Sequence, residues 1–404
     1  MIRKNCLICG SEKLNKIIDL GSHPFADTFI PESRIDEADM IFPLVCDLCS
    51  ICGQVQTRYS TDPLLRYANF DYSYTSSNSN FSRSHWIEFA DELEKEAEIT
   101  KNGFIIEVGS NDGFLSEQFQ KKGFKVIGVD PSPYMFELAK ERNIITIVSL
   151  FNEDVANKII NGYGKADLII ANNVFNHSEN PLDFAKEVSK LLSKNGKFVF
   201  ELPYWKIGVE SGKFDQVYHE HVSYFTVKSS KELLERAGMK IKSIKIVNYH
   251  GGSLRIIAQK EDDLEIHSSD TDKIINNEID YGLFDINLYN NFMRSNIEKR
   301  DKFMQKIYEI RASNIPIIAV GAAAKGNTFL NFYNLDNSVI DYVTDSSPHK
   351  KGKYTPATRI PITGDEIFSK YNRVYALILS WNIVDQLKDI LHKINPNIEF
   401  ISPE

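Results

Sequence analysis

Long apolar runs are absent from this chain, which excludes a bilayer-crossing helix, since such a helix needs about 20 consecutive apolar residues. The first residues, Met1-Ile2-Arg3-Lys4-Asn5-Cys6, also lack the apolar stretch of a secretory leader. Basic blocks are missing too. Lys and Arg number 47 against 55 Asp and Glu, giving a net charge of −8 spread along the sequence, which argues against nucleic acid as the main partner. No low-complexity tract and no short-period repeat is found. The expectation is a soluble cytoplasmic protein with neither membrane nor nucleic-acid partners. Cysteine is scarce, with five in 404 residues. In a reducing compartment closely spaced cysteines point to metal ligation rather than disulfides.

What is present suffices for real cores, and the length exceeds what one core usually supports, so two or three domains are expected. Residues 1 to about 95 are turn-rich, with Gly21-Ser22-His23-Pro24 and Ile30-Pro31-Glu32-Ser33 between short apolar stretches. Such a segment buries little core of its own, and a metal would supply the missing stability. From about 96 to 260, apolar runs alternate with helical periodicity. Phe104–Val108, Lys125–Val129, Asp167–Ala171 and Lys197–Glu201 read as buried parallel strands of a doubly wound α/β domain, with a helix over Pro181–Leu192. A polar stretch from 261 leads to a helix-compatible segment, Asn287–Ala312, taken as a connector. A second α/β unit comes next, with strands over Ile315–Val320, Val339–Val343, Val374–Leu379 and Ile398–Ile401.

Two Cys-x-x-Cys knuckles, Cys6/Cys9 and Cys49/Cys52, offer four thiolates, and tetrahedral zinc is the usual occupant of such a set. Cys46 makes Cys46-Asp47-Leu48-Cys49 an equally spaced rival. The Cys49/Cys52 pair is preferred because Gly53 comes directly after it and lets backbone amides turn toward the second sulfur. A closed four-thiolate site has no open position, so the metal is assigned to folding.

The strand Phe104–Val108 runs into Gly109-Ser110-Asn111-Asp112-Gly113, and a helix comes after it. Glycines suit a sharp turn and close approach of backbone to a ligand. Asp130, at the tip of the next strand, is placed to accept from a ribose diol. A nicotinamide site prefers Gly-x-Gly-x-x-Gly, which is absent. Glu107-x-Gly109-x-x-x-Gly113 with an acidic next-strand tip favours S-adenosylmethionine instead. The candidate cofactor residues are Glu107, Gly109, Ser110, Asn111, Gly113, Asp130 and Pro131, with Asn172 and Asn173 in the loop after Asp167–Ala171.

The segment Phe214–Phe225 packs His219, His221, Glu220, Tyr218 and Tyr224 into a short span. A near-neutral imidazole can take a proton, and a neighbouring carboxylate can hold its tautomer. Further on, Gly321-Ala322-Ala323-Ala324-Lys325-Gly326-Asn327 places small residues and one lysine at a helix start suited to an anion. Lys351, in the basic turn His349–Lys353, is a second candidate phosphate contact.

At this point the chain resembles a known family, the S-adenosylmethionine-dependent C-methyltransferases of nucleotide-linked keto-deoxysugars. The likeness rests on the paired cysteines with Gly53-Gln54-Val55-Gln56, on Glu107–Gly113, on Tyr218-His219-Glu220-His221, on His250–Arg255 and on Gly321–Gly326. The resemblance implies zinc on Cys6, Cys9, Cys49 and Cys52, S-adenosylmethionine along Gly109 and Asp130, and His221 as the base. Tyr218 and Glu220 would shape the site, with Tyr72 or Tyr74 reaching over from the cap and His177 from the loop after Ala171. Tyr224, Lys325, Asn327 and Lys351 would contact the substrate. Two departures stand out: Pro356-Ala357-Thr358 replaces Pro-Gly-Thr, and Asp130 stands where Glu is frequent. The implied organisation is α/β throughout: a zinc-binding domain over 1–70, a doubly wound methyltransferase domain over 71–260, a helical connector over 261–312 and a Rossmann-like domain over 313–404 that holds the nucleotide sugar. The rival readings are an O- or N-methyltransferase on a nucleotide sugar and a nicotinamide-dependent sugar oxidoreductase.

Overall fold

The computed structural model describes residues 1–62, 65, 75–260 and 270–403, apart from the side chain at 382. The amino-terminal unit contains β1 (Leu14–Pro24), β2 (Ile30–Pro31), β3 (Ile41–Cys49) and β4 (Val55–Thr57). Strands β1, β3 and β4 form an antiparallel sheet. Helix α1 (Asn80–Glu96), capped by the Ser79 side chain, leads into the central sheet.

The central unit alternates β5 (Phe104–Val108), α2 (Phe114–Lys121), β6 (Lys125–Asp130), α3 (Pro133–Glu141), β7 (Ile145–Val148), α4 (Glu153–Tyr163), β8 (Ala166–Ile170), α5 (Pro181–Leu191) and β9 (Leu192–Pro203). Every strand read from the sequence here is present. β7 was not expected, because its pattern of exposed and half-buried residues lacks a continuous apolar run. The course of the chain after α6 (Trp205–Glu210) was not expected either. The two-residue strand β10 (Ser223–Tyr224) leaves the central unit and pairs with Gln56 and Val55, completing the amino-terminal sheet. After α7 (Val227–Arg236), β11 (Met239–Val247) and β12 (Ser253–Lys260) join the central sheet antiparallel. The order β11-β12-β9-β8-β5-β6-β7 puts the switch point between β5 and β8, where ligands bind beyond the carboxyl ends of the strands.

The segment read as a connector is packed rather than free. Helix α8 (Asp270–Asp280) contributes Glu278, which is fully buried. Its Oε1 accepts from the Tyr204 hydroxyl at 2.8 Å and from Val227 N–H at 2.6 Å, and its Oε2 accepts from Lys228 N–H at 3.1 Å. One carboxylate thus caps the start of α7 and ties it to the end of β9. Helix α9 (Ile286–Ala312) runs beneath the amino-terminal sheet. Then β13 (Ile317–Val320), α10 (Ala324–Phe332), β14 (Tyr342–Thr344), β15 (Lys353–Tyr354), β16 (Ile362–Thr363), β17 (Val374–Ile378), α11 (Val384–Ile394) and β18 (Ile398–Ile401) complete the chain. Their parallel sheet has the order β16-β14-β13-β17-β18, with its own switch point between β13 and β17.

The sequence reading of a cap with little core of its own agrees with the packing, but a metal is not the sole source of the missing stability. Ile17, Ile18, Leu20, Leu44, Leu48 and Val55 share one apolar cluster with Tyr289, Phe303 and Ile307 of α9 and with Phe329 and Leu330 of α10. The amino-terminal sheet gains its core from the carboxy-terminal unit, and β2 pairs with β15 across the same junction. Periodicity cannot reveal a core completed by residues nearly three hundred positions away. Replacing Glu278 with Ala leaves three buried donors without an acceptor. It should lower unfolding stability by about 3 kcal/mol, read as a fall in the urea midpoint at unchanged slope.

Candidate active site

The thiols of Cys6, Cys9, Cys49 and Cys52 lie within 4.8 Å of one another. The Cys6–Cys52 and Cys9–Cys49 sulfurs are each 3.5 Å apart. Tetrahedral Zn–S bonds of about 2.3 Å put sulfurs about 3.8 Å apart, so the set fits zinc. The two knuckles are built alike: Gly10 N–H donates to the Cys6 carbonyl and Gly53 N–H to the Cys49 carbonyl, both at 3.0 Å. Cys46 lies outside the cluster, buried beside Tyr224, where burial pushes its thiol well up. Cys49 is therefore the third ligand, and Cys46 is a core residue.

A cavity of about 1070 Å³ lies where the carboxyl ends of the two parallel sheets face each other. Sites for one small ligand occupy roughly 300–1,000 Å³, so this one has room for two. From the central sheet it is lined by Gly109, Asn111, Asp130, Pro131, Asn172 and Asn173, and from the second sheet by Ala323–Lys325 and Leu379–Trp381. Both switch points carry a glycine that no other residue could replace without strain. Gly109 has φ +71° and a Cβ there would meet Val174 at 2.0 Å; Gly321 has φ +97° and would meet Ser380 at 2.0 Å.

At the central end, Asp130 Oδ2 accepts from Asn111 N–H and Oδ1 from Ser132 N–H, each at 2.9 Å. A carboxylate has about four acceptor sites, so two backbone donors orient the group and leave capacity for a ribose diol. Burial raises the Asp130 carboxyl above its ordinary value. Asn172 Oδ1 accepts from Glu201 N–H at 2.9 Å. Its Nδ2, and Trp86 Nε1 opposite, are buried at the cavity wall without a protein acceptor. Two orphaned donors at a cavity wall are what a polar cofactor would satisfy. Glu107, Ser110 and Gly113, read from the sequence as cofactor residues, do not line the cavity. Glu107 accepts from Ser116 Oγ at 2.5 Å behind the loop, and burial pushes its carboxyl up to about 8. Ser110 is buried against Gly128, and Gly113 packs on Ala139. These three shape the turn.

Between the two ends sits the segment Phe214–Tyr224, whose side chains divide among three neighbours. His219 Nδ1 is 3.3 Å from the Pro24 carbonyl, and its ring meets Phe25 and Phe42 edge-on. Glu220 Oε1 accepts from Asp27 N–H at 3.1 Å. Both residues dock the cap, and Glu220 also lines the cavity. His221 faces the cavity: Nδ1 contacts the Gln216 carbonyl at 3.0 Å and Nε2 contacts the Tyr218 hydroxyl at 2.5 Å. A carbonyl can only accept, so Nδ1 carries the proton and Nε2 accepts from Tyr218. Burial holds the His221 imidazole well below its ordinary value, aided by His177 and Lys325. The His177 ring lies edge-on to it, centroids 4.9 Å apart. Tyr72 and Tyr74 lie outside the described residues.

The sequence-read substrate contacts are partly corrected. Lys325 lines the cavity, its Nζ 3.4 Å from the His250 carbonyl, and burial lowers its ammonium value. Tyr224 does not line it, being part of β10 and packed on Trp205. Asn327 instead donates to the Ala26 carbonyl at 2.6 Å, tying α10 to the cap. Lys351 is exposed, whereas its neighbour Lys350 turns inward to the Ala322 carbonyl at 2.7 Å. One residue of register in a turn exchanges inside for outside, which spacing alone does not settle. Sequence reasoning also missed Asp27, Lys213, Asp215, His250 and Trp381, all cavity residues. Trp381 could have been found from its place just past β17, at a switch point.

Three family models match the chain: a zinc binding domain over residues 6–67, a methyltransferase domain over 83–244 and a C-methyltransferase C-terminal domain over 248–403. The last begins ahead of β12, although that strand belongs to the central sheet. The C-methyltransferase NovU of Streptomyces niveus is 27% identical over 391 residues, covering 96% of this chain and 92% of that protein. A ubiquinone biosynthesis O-methyltransferase of Pelagibacter ubique is 30% identical over 96 residues, 24% of this chain and 40% of that protein. Among solved structures, the magnesium protoporphyrin IX methyltransferase of Synechocystis with bound SAH matches at 15% identity and a TM-score of 0.36, over 44% of this chain and 83% of that one. For the metal centre the expected outcome is one zinc per chain by elemental analysis, retained in Cys46→Ser and lost in Cys49→Ser, whose melting temperature should fall to that of the chelated protein.

Proposed function

The chain belongs to the S-adenosylmethionine-dependent C-methyltransferases, and from that premise we propose that its methyl acceptor is the carbon beside the ketone of a nucleotide-linked 4-keto-deoxysugar, with His221 as the base. The observation that carries this reading is the state of His221: a neutral imidazole, its Nδ1 proton held by a backbone carbonyl and its Nε2 accepting from the Tyr218 hydroxyl at the wall of a cavity that Asp130 and Lys325 share. Carbon methylation needs a carbon nucleophile, and a ketone acidifies the neighbouring C–H so that a modest base can generate an enolate. Lys213, Lys325 and Lys350 line the same cavity. Each ammonium is held by a backbone carbonyl, those of Gly251, His250 and Ala322. With three N–H donors apiece they retain capacity for a diphosphate, which supports an anionic nucleotide carrier.

S-adenosylmethionine, when bound, supplies an electrophilic methyl group on a sulfonium sulfur. The protein makes and orients the nucleophile. The α-proton passes to His221 Nε2, and the C–H electron pair becomes the enolate, with its charge on the former ketone oxygen. For this the bound ketone oxygen first draws the Tyr218 hydroxyl off Nε2, which frees that lone pair for the proton and leaves the hydroxyl donating to the enolate oxygen, with His177 alongside. Burial makes His221 a weaker base than free imidazole, so this stabilisation of the developing charge has the larger share of the work; one such donor is worth about 10²–10³ in rate. Asp130 holds the cofactor ribose, and the cap and the second sheet exclude water.

The test is incubation with S-adenosylmethionine and a panel of nucleotide-linked 4-keto-deoxysugars, followed by mass analysis and α-deuterium exchange in deuterated water. Methylation at oxygen or nitrogen, or no reaction across the panel, overturns the reading. His221→Asn should bind S-adenosylmethionine as the wild type does yet lose both exchange and methyl transfer, whereas Tyr218→Phe should lower kcat about 10²-fold. The neutral imidazole is the active form and its folded value lies below 6.5. The acid limb of kcat/KM should therefore lie below pH 6.5, with activity maintained as pH falls through that value.

A further inference from the structure

The base is held by a residue of the second sheet. Trp381, just past β17, donates from Nε1 to Asp215 Oδ2 at 2.9 Å. Asp215 is the inner residue of a tight turn that Val217 N–H closes by donating to the Phe214 carbonyl at 2.9 Å. The peptide unit joining Gln216 to Val217 therefore has two fixed ends: its N–H closes the turn, and its carbonyl accepts from His221 Nδ1 at 3.0 Å. Whatever sets the turn sets the plane of that peptide, and with it the orientation and tautomer of the imidazole. The turn is gripped from the carboxy-terminal unit on both sides. Phe214 packs against Phe332 with centroids 4.6 Å apart, and Trp381 meets Phe329 edge-on at 5.5 Å. Left to itself, the buried Asp215 carboxylate has two cations to choose between, Lys213 and Lys325. The indole N–H fixes one of its oxygens.

We propose that Trp381 is a positioning residue: through Asp215 it fixes the Gln216 carbonyl that holds the Nδ1 proton of His221, so that the carboxy-terminal unit sets the base as well as lining the cavity. The proposal rests on the reading of His221 as the base. Its geometric part is tested separately from the chemistry, on full-length, zinc-loaded protein labelled with ring-¹⁵N histidine. The His221 signals are assigned by their loss in His221→Asn. The wild type should show a protonated Nδ1 and an unprotonated Nε2. Trp381→Phe keeps the packing and loses the donor, and Asp215→Ala removes the same bond from the other side. Each should give a mixture of tautomers or a broadened signal. With the panel member turned over by the wild type, kcat should fall about 10- to 100-fold, with S-adenosylmethionine affinity and the KM of the sugar nucleotide little changed. Asp215→Asn retains an oxygen that accepts from the indole and should keep the wild-type His221 signals.

A wild-type His221 spectrum in Trp381→Phe overturns the proposal, as does a raised KM at unchanged kcat, which would make Trp381 a substrate contact. An Asp215→Asn His221 spectrum as altered as that of Asp215→Ala also overturns it, since the charge and not the bond would then matter. If Trp381→Phe does not fold, Asp215→Ala carries the same measurement. If the wild type methylates no keto-sugar nucleotide, the functional reading falls while the histidine spectra still decide the positioning claim.

Discussion

A buried histidine keeps one neutral tautomer only while something holds the proton on a chosen nitrogen and something else keeps water out. Here the first requirement is met by one backbone carbonyl, that of Gln216, and the second by three separate units closing on one segment. Ser223 and Tyr224 are sewn into the amino-terminal sheet. His219 and Glu220 dock the cap loop around Pro24 and Asp27. Phe214 and Asp215 are gripped by the carboxy-terminal unit. Tyr218, Glu220 and His221 line the cavity. A loop fixed at so many points has little conformational entropy left to lose when a ligand binds.

The zinc centre acts on the same segment at one remove. Its second knuckle forms the turn between β3 and β4, and β4 is the strand on which Ser223 and Tyr224 pair. A four-thiolate site has no place for substrate, yet it holds the template against which the loop after His221 is laid. The cap also depends on α9 and α10 for its apolar core. The metal and the borrowed core together explain how so turn-rich a segment folds.

Ionisable groups around the cavity are poorly solvated, and their values move accordingly. Burial raises the carboxyls of Asp27, Asp130 and Asp215, lowers the ammonium value of Lys325 and brings His250 down to about 3. Burial thus weighs against the charged form of groups of both signs, a condition that a bound polar ligand relieves. The orphaned donors of Asn172 and Trp86 are the same condition in uncharged form.

Some of this was legible in the chain and some was not. Buried parallel strands announce themselves as apolar runs, so β5, β6, β8 and β9 were readable, as was the long helix α9; edge strand β7 and β11 were not, because half-exposed strands dilute the pattern, and β12 was not, because the buried Arg255 and Gln259 interrupt its apolar run. The cysteine knuckles, the Gly109 turn, Asp130 and the cluster around His221 were readable because short-range chemistry fixes their spacing. Which neighbour each side chain would face was not. Lys350 rather than Lys351, Trp381 rather than Asn327, and Tyr224 in the core rather than in the cavity are outcomes of how three units meet. The sequence by itself determined the elements, the metal ligands and the two glycine turns, since these depend on residues close together in the chain. Only the tertiary structure decided that the two switch points share one cavity and that a tryptophan from the second sheet donates to Asp215 in the turn before His221. Those relations come from packing between segments far apart in sequence, and no local pattern encodes them.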